Sequence, residues 1–105
     1  MNELNRLIHE PARLTIVALL SSVREADFLY LLRETGLTKG NLSTHLVILE
    51  AAGYVDIEKT FRGKIPLTLV RLSSEGKAAF QSYRKSMKHI LATSKARRAP
   101  VHIPT

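Results

Sequence analysis

Apolar positions recur along this chain with two different periods, and the change of period divides it into elements. Leucines at 42, 46 and 49 follow the spacing that gathers side chains on one face of an α-helix. Thr38 is placed to cap that helix and Gly53 to end it, so the pattern predicts a helix that runs to residue 52. Upstream, residues 25 to 34 (EADFLYLLRE) open on acidic groups that suit a helix N-terminus and stop before Gly36. Residues 11 to 21 predict an earlier helix with Pro11 in its first turn, after a short helical lead-in over residues 3 to 8. Its segment Ile16, Val17, Ala18, Leu19, Leu20 is apolar all round. That suits a helix buried either between its own core and a second subunit or wholly within its own domain.

Past Gly53 the period drops to two. Val55, Ile57 and Phe61 alternate with Asp56, Glu58 and Thr60, which reads as a strand with one wet face. Residues 62 to 66 (RGKIP) supply turn chemistry, and residues 67 to 72 (LTLVRL) read as the returning strand of a hairpin. Pro66 is expected at the start of that strand, where a ladder donor is dispensable. Ser73 can cap a last long helix over residues 74 to 97, with Glu75 in its first turn and Arg97 and Arg98 at its end, all favourable to the helix dipole. Phe80, Tyr83, Met87, Ile90 and Leu91 form its apolar stripe. Residues 99 to 105, with two prolines and no period, are expected to be irregular. The fold class is therefore mainly α with a small β-hairpin, one domain over residues 1 to 98. At its centre, two short helices joined by a glycine-containing turn match a helix-turn-helix.

The helix after Thr38 is half core and half hydrogen-bonding surface. Thr38, Lys39, Gly40, Asn41, Ser43, Thr44 and His45 crowd its first turns with short polar groups and one cation. Gly40, Asn41, Thr44 and Val47 fall on the side away from the leucines. An amide there can pair with an adenine edge, a hydroxyl can donate or accept, and a valine methyl can touch a thymine methyl. Gly40 costs helix stability but lets the backbone come close to a partner. In helix-turn-helix modules the second helix lies in the major groove and its N-terminal residues meet the bases. The alternative is a face that is simply solvated. The hairpin tip carries Arg62 and Lys64 around Gly63, with Lys59 and Arg71 further down the strands. Such a tip can reach a phosphate or a minor groove, and the same charges would also protect an exposed hairpin from edge pairing.

Charge strengthens the first reading of both features. The 105 residues hold 16 Lys and Arg against 9 Asp and Glu, a net +7 that suits a polyanionic partner. The excess is uneven: residues 1 to 61 carry 6 basic and 8 acidic side chains, whereas residues 62 to 105 carry 10 basic and Glu75 alone. Lys77, Arg84, Lys85, Lys88, Lys95, Arg97 and Arg98 give the last helix a general positive field. Double-stranded DNA is the expected partner. A second copy of the chain is the other, because a domain of this size fills its core without the last helix's stripe. Ile16, Leu19, Leu20, Tyr83, Met87, Ile90 and Leu91 are the expected dimer interface.

Other chemistries find little support. There are no cysteines, so disulfides and thiolate metal ligands are excluded. Histidines 9, 45, 89 and 102 are scattered without metal-ligand spacing, and His45 has no carboxylate one helical turn away. Glu25 and Asp27 suit the dipole of their helix better than acid-base work, and no phosphate-cradling glycine loop occurs. No catalysis, metal or cofactor is expected. No apolar run approaches a membrane span and the N-terminus has no signal-like pattern, which predicts a soluble cytoplasmic chain.

With these elements in order, the chain resembles the winged-helix DNA-binding domain of small MarR/ArsR-like bacterial and archaeal transcriptional regulators. The resemblance rests on GLTKGNLSTHLVILEAAGYV, on Lys59, Phe61 and Gly63 as K-x-F-x-G, on Thr68, on LSSEG opening the last helix, and on EPARLTIVALL as the first helix. It covers roughly residues 8 to 85. A small-molecule effector at a dimer interface stays open, with no residue cluster that marks a pocket; the resemblance implies a winged helix-turn-helix dimer that binds an operator and regulates transcription, usually by repression. By position it makes Thr38, Lys39, Asn41, Ser43, Thr44 and His45 recognition-helix residues and Arg62 and Lys64 wing residues. The chain departs from the pattern in lacking the cysteine sites and the carboxylate and histidine clusters of metal sensors. It departs again at Val47, where the family often has a polar or basic residue. Two other functions fit the same sequence. One is a winged-helix protein-interaction module. The other, binding of single strands or RNA, would need exposed aromatic platforms, whereas Phe28, Tyr30, Phe61 and Phe80 fall on or beside apolar faces.

Overall fold

The computed structural model describes residues 4–93, 100–102 and 104. Lys95, Arg97, Arg98, the expected last turn of the final helix and parts of the tail lie outside the described residues. Helix α1, Pro11–Ser21, opens on Glu10, whose carboxylate accepts from the N–H groups of Ala12 and Arg13. Its buried stripe is Ile16, Val17 and Leu20, while Thr15, Ala18 and Ser21 are exposed. The helix is thus two-faced despite its apolar composition, because alanine tolerates exposure at little cost.

Strand β1, Ala26–Asp27, replaces the expected start of the second helix. Asp27 then caps α2, Phe28–Thr35, by accepting from the Tyr30 N–H, and Gly36 ends it in the left-handed region at φ 70°. A glycine adopts that conformation without the Cβ clash other residues meet. Helix α3, Lys39–Ala51, is capped by Thr38, whose hydroxyl accepts from the Asn41 N–H at 3.1 Å. Leu42, Leu46 and Leu49 are 0, 3 and 0% exposed, so the leucine spacing does mark the inward face.

Strands β2, Val55–Arg62, and β3, Ile65–Leu72, form an antiparallel hairpin. The turn is Gly63–Lys64 alone, shorter than the five residues that the turn chemistry suggests. Gly63 has φ 62° and no non-glycine residue shares a positive φ. A glycine at the first of two turn positions is the type II′ pattern, which matches the strand twist and lets Arg62, Ile65 and Pro66 join the ladder. β1 pairs with the other edge of β3, Ala26 opposite Val70 and Asp27 opposite Leu69, giving the order β1-β3-β2. Because β1 is so short, β3 is open on that side at Pro66, where a proline is tolerated.

Helix α4, Ser74–Thr93, starts from a knot of hydrogen bonds. The Ser73 hydroxyl donates to the Gly53 carbonyl at 2.5 Å and accepts from the Gly76 N–H at 3.0 Å, while the Ser73 N–H donates to the Tyr54 carbonyl. The core that results joins Ile16, Val17, Leu20, Leu31, the α3 leucines, Val55, Val70 and Leu72. Buried aliphatic side chains of this kind each stabilise by about 1.5–3 kcal/mol.

Two expectations about the dimer face fail. Ile16 and Leu20 are 0 and 1% exposed, enclosed by their own core. Tyr83 is 5% exposed, and its hydroxyl lies 2.8 Å from His9 Nδ1. Ile16 and Leu20 have no surface left for a second chain, whereas Tyr83 keeps a narrow edge on the groove beside Phe80 and Met87. Leu19 and Met87 are half-buried, and Ile90 and Leu91 are exposed.

Candidate nucleic-acid interface

The leucines of α3 fix which of its residues face outward. Lys39, Gly40, Asn41, Ser43, Thr44 and Val47 are all exposed, as is the capping residue Thr38. Thr44 spends its proton locally, donating to the Gly40 carbonyl at 2.9 Å, which leaves its exposed hydroxyl oxygen to act as an acceptor. Asn41 presents a carboxamide, able to donate and accept at once. Nothing lies within 4 Å of where a Gly40 Cβ would be, so the backbone there is open to a partner.

His45 is different from its neighbours. Its side chain is 20% exposed, with Nδ1 3.2 Å from an Arg13 guanidinium nitrogen and 3.7 Å from Glu10 Oε2. Arg13 donates to Nδ1 when the ring carries its proton on Nε2. Arg13 Nε also donates to the Leu7 carbonyl at 2.6 Å. The carboxylate missing from α3 itself is therefore supplied by the cap of α1. Burial raises the Glu10 pKa, but hydrogen bonds from the Arg13 and Ala12 N–H groups, the His45 ring when it is protonated and the Arg13 charge outweigh it, and the carboxyl titrates below its ordinary value. Glu10 and Arg13 escaped the sequence reading because they lie more than thirty positions away.

The hairpin register sorts its side chains onto two faces, since successive residues alternate. One face carries Val55 with Leu72, Ile57 with Val70, Lys59 with Thr68, and Phe61 with Pro66. Burial fades along that series: Val55 is 2% exposed and Phe61 68%, because the hairpin outruns the core. The other face carries Asp56 with Arg71 and, at its end, Arg62 with Ile65. Arg71 is held by Glu25, at 3.4 Å, and by a hydrogen bond to Glu58. It is matched by two carboxylates and drops out of the cationic set, which leaves Lys59, Arg62 and Lys64.

Helix and wing meet over one cleft of about 330 Å³ lined by Phe28, Ser43, Leu46, Val47, Ile57, Lys59 and Thr68. Ser43 of α3 and Lys59 of the wing thus face the same space, while Arg62 and Lys64 stand further out near the turn. Among the described residues no group of three or more His, Asp or Glu could hold a metal ion, and no helix is long and apolar enough to cross a membrane.

A three-helix core, a capped polar helix and a two-stranded wing of β2 and β3 define a winged helix. The family model described as a winged helix DNA-binding domain matches residues 12–91, and the chain belongs to that family. It is 33% identical over 79 residues to the uncharacterized protein MJ0432 of Methanocaldococcus jannaschii, covering 74% of this chain and 85% of that one. Among solved structures it is similar to a transcriptional regulator homologue from Pyrococcus horikoshii, with a TM-score of 0.82 and 27% identity over 88% of this chain and 91% of that one. It also shares its fold with a MarR-family regulator from Enterococcus faecalis, at a TM-score of 0.71 and 24% identity, covering 84% and 78% of the two chains.

Proposed function

We propose that this chain is a homodimeric transcription regulator that binds specific sites on double-stranded DNA and acts by repression. Helix α3 enters the major groove, and the β2–β3 wing lies on the adjoining backbone and minor groove. The observation that carries the reading is the shared cleft: Ser43 on the exposed side of α3 and the wing cation Lys59 border one space, where a phosphate between helix and wing would meet both. Asn41 and Thr44 are the base-reading residues, Ser43 and Lys59 meet phosphate, and His45 holds α3 against α1. Dimerisation uses the far side of the domain, where Leu14, Phe80, Met87 and Leu91 line an open groove of about 770 Å³. Occluding a promoter needs only tight, specific occupancy, which a winged-helix domain can supply.

The test is selection from random-sequence duplexes followed by binding across salt. An enriched palindrome with half-sites about 34 Å apart, one helical turn, is expected. Neutralising some six phosphates lowers affinity roughly 10³-fold between 50 and 200 mM salt. A flat salt response and no enriched site would sink the DNA reading and favour a protein-docking module instead.

A further inference from the structure

The wing is more apolar at its end than a phosphate-binding hairpin needs to be. Phe61 and Ile65 are each 68% exposed, among the most exposed large apolar side chains of the described residues. They sit on the last two rungs of the ladder, Arg62 with Ile65 and Phe61 with Pro66, and therefore on opposite faces of the ribbon. Each flat side of the tip joins an apolar end to a cation, since Phe61 and Pro66 share a face with Lys59 and Ile65 lies opposite Arg62 on the other face; residues 59 to 74 hold four cations and no acid, and Arg71 is already matched by Glu25 and Glu58. An apolar end inside a cationic surround suits a partner with a negative outer rim and an apolar interior.

The minor groove of double-stranded DNA has that construction, with phosphates at its lips and sugars and stacked base edges within. Its size matters. A ribbon with side chains on both faces is about 10 Å thick, whereas the undistorted minor groove is about 6 Å wide. The Gly63–Lys64 turn makes the tip as narrow as a hairpin allows, yet it still cannot enter without prising the groove open. Opening the minor groove bends the duplex toward the major groove, and apolar side chains stabilise the unstacked step that results.

Resting on the DNA reading above, we propose that the tip is a wedge: Phe61, Ile65 and Pro66 enter the minor groove, widen it and bend the DNA, while Lys59, Arg62 and Lys64 hold the phosphates on either side. The wedge adds selectivity at a position where no base edge is read. Flexible pyrimidine–purine steps open cheaply and stiff A-tracts do not. The chain should therefore prefer sites with a TA or CA step under the wing.

The experiment measures fluorescence energy transfer between the ends of duplexes that carry either TA steps or an A-tract beneath the wing position. The unaltered chain is compared with a Phe61→Thr, Ile65→Thr double variant. Threonine keeps the strand propensity and both positions are exposed, so the variant should fold, as circular dichroism will check. The unaltered chain is expected to bend the TA duplex by roughly 20–90°. The variant should lose most of that bend and of the TA preference, with the salt dependence of binding unchanged. Binding without bending, or equal bending by both proteins, overturns the wedge and leaves the DNA reading standing. No binding by the unaltered chain overturns both. If the variant instead lowers the mass of the DNA-free protein in sedimentation, the tip contacts a second copy and the wedge is overturned.

Discussion

Replacing Gly76 by alanine should destabilise the domain even though it adds a better helix former to α4. A Cβ at position 76 would lie 2.1 Å from the Tyr54 carbonyl oxygen, 2.8 Å from Leu72 Cδ1 and 3.0 Å from the Tyr54 carbonyl carbon. Two of these neighbours are backbone, and the oxygen is the acceptor for the Ser73 N–H that anchors the start of α4. Three effects compete. Helix propensity favours alanine by about 1 kcal/mol. Overpacking a tight site costs about 1–3 kcal/mol. Forcing Tyr54 aside also weakens a backbone hydrogen bond worth about 1 kcal/mol. The costs win, with a net loss of about 1–3 kcal/mol. With a urea slope of about 1–3 kcal/mol/M for a small domain, the midpoint should fall by roughly 1 M at unchanged slope. An equal or higher midpoint would show that the α4 start can move away from the α3–β2 corner freely, and would refute the close seating of Gly76 on Tyr54 as the cause.

Three further outcomes are expected. Gly40→Ala, in the first turn of α3 with open space around it, should add at most about 1 kcal/mol of stability and so raise the urea midpoint, while weakening DNA binding where the backbone approaches the groove. Asn41→Ala or Thr44→Ala should erode discrimination between sequences, each contact being worth about 1–3 kcal/mol. Arg62→Ala should instead weaken specific and random duplexes alike, and equal losses for all three in a competition assay would refute the assignment. Glu10 has a folded-state pKa below its unfolded value, so its capping contribution is complete above the unfolded pKa and is lost as pH falls through the folded one. Glu10→Gln should therefore be less stable than the unaltered chain at neutral pH, with the gap closing in acid, as measured by urea unfolding across pH.

Elements whose signal is local were legible from the sequence. Helix α1 begins and ends where Pro11 and Ser21 predict, and Thr38 caps α3 as its side chain allows. What was hidden depends on distant partners. Two residues cannot show a period, so β1 becomes visible only through its pairing with Val70 and Leu69. Phe61 follows the alternation of a buried face, yet it is exposed because the hairpin extends past the helices that would cover it. The stripe of α4 looks uniform in sequence but divides in space, Tyr83 turning inward to His9 while Leu91 faces out. Alternation and helical spacing state which residues share a face; they do not state where along that face the neighbouring element ends.

The two halves of α3 therefore carry different kinds of energy. Its three buried leucines contribute about 1.5–3 kcal/mol each and hold the helix to the domain. The Glu10–Arg13–His45 contacts are partly exposed, and ion pairs of that kind are worth about 0–1 kcal/mol. Losing them should leave the fold standing. Their consequence is directional, since Arg13 bonds both the Leu7 carbonyl and His45 and so ties the chain ahead of α1 to the middle of α3. On the wing, Glu25 and Glu58 similarly stabilise little, but by matching Arg71 they confine unmatched positive charge to Lys59, Arg62 and Lys64. Weak contacts thus aim the helix and focus the charge, while the aliphatic core supplies the stability that lets the outward face of α3 be chosen for hydrogen bonding alone.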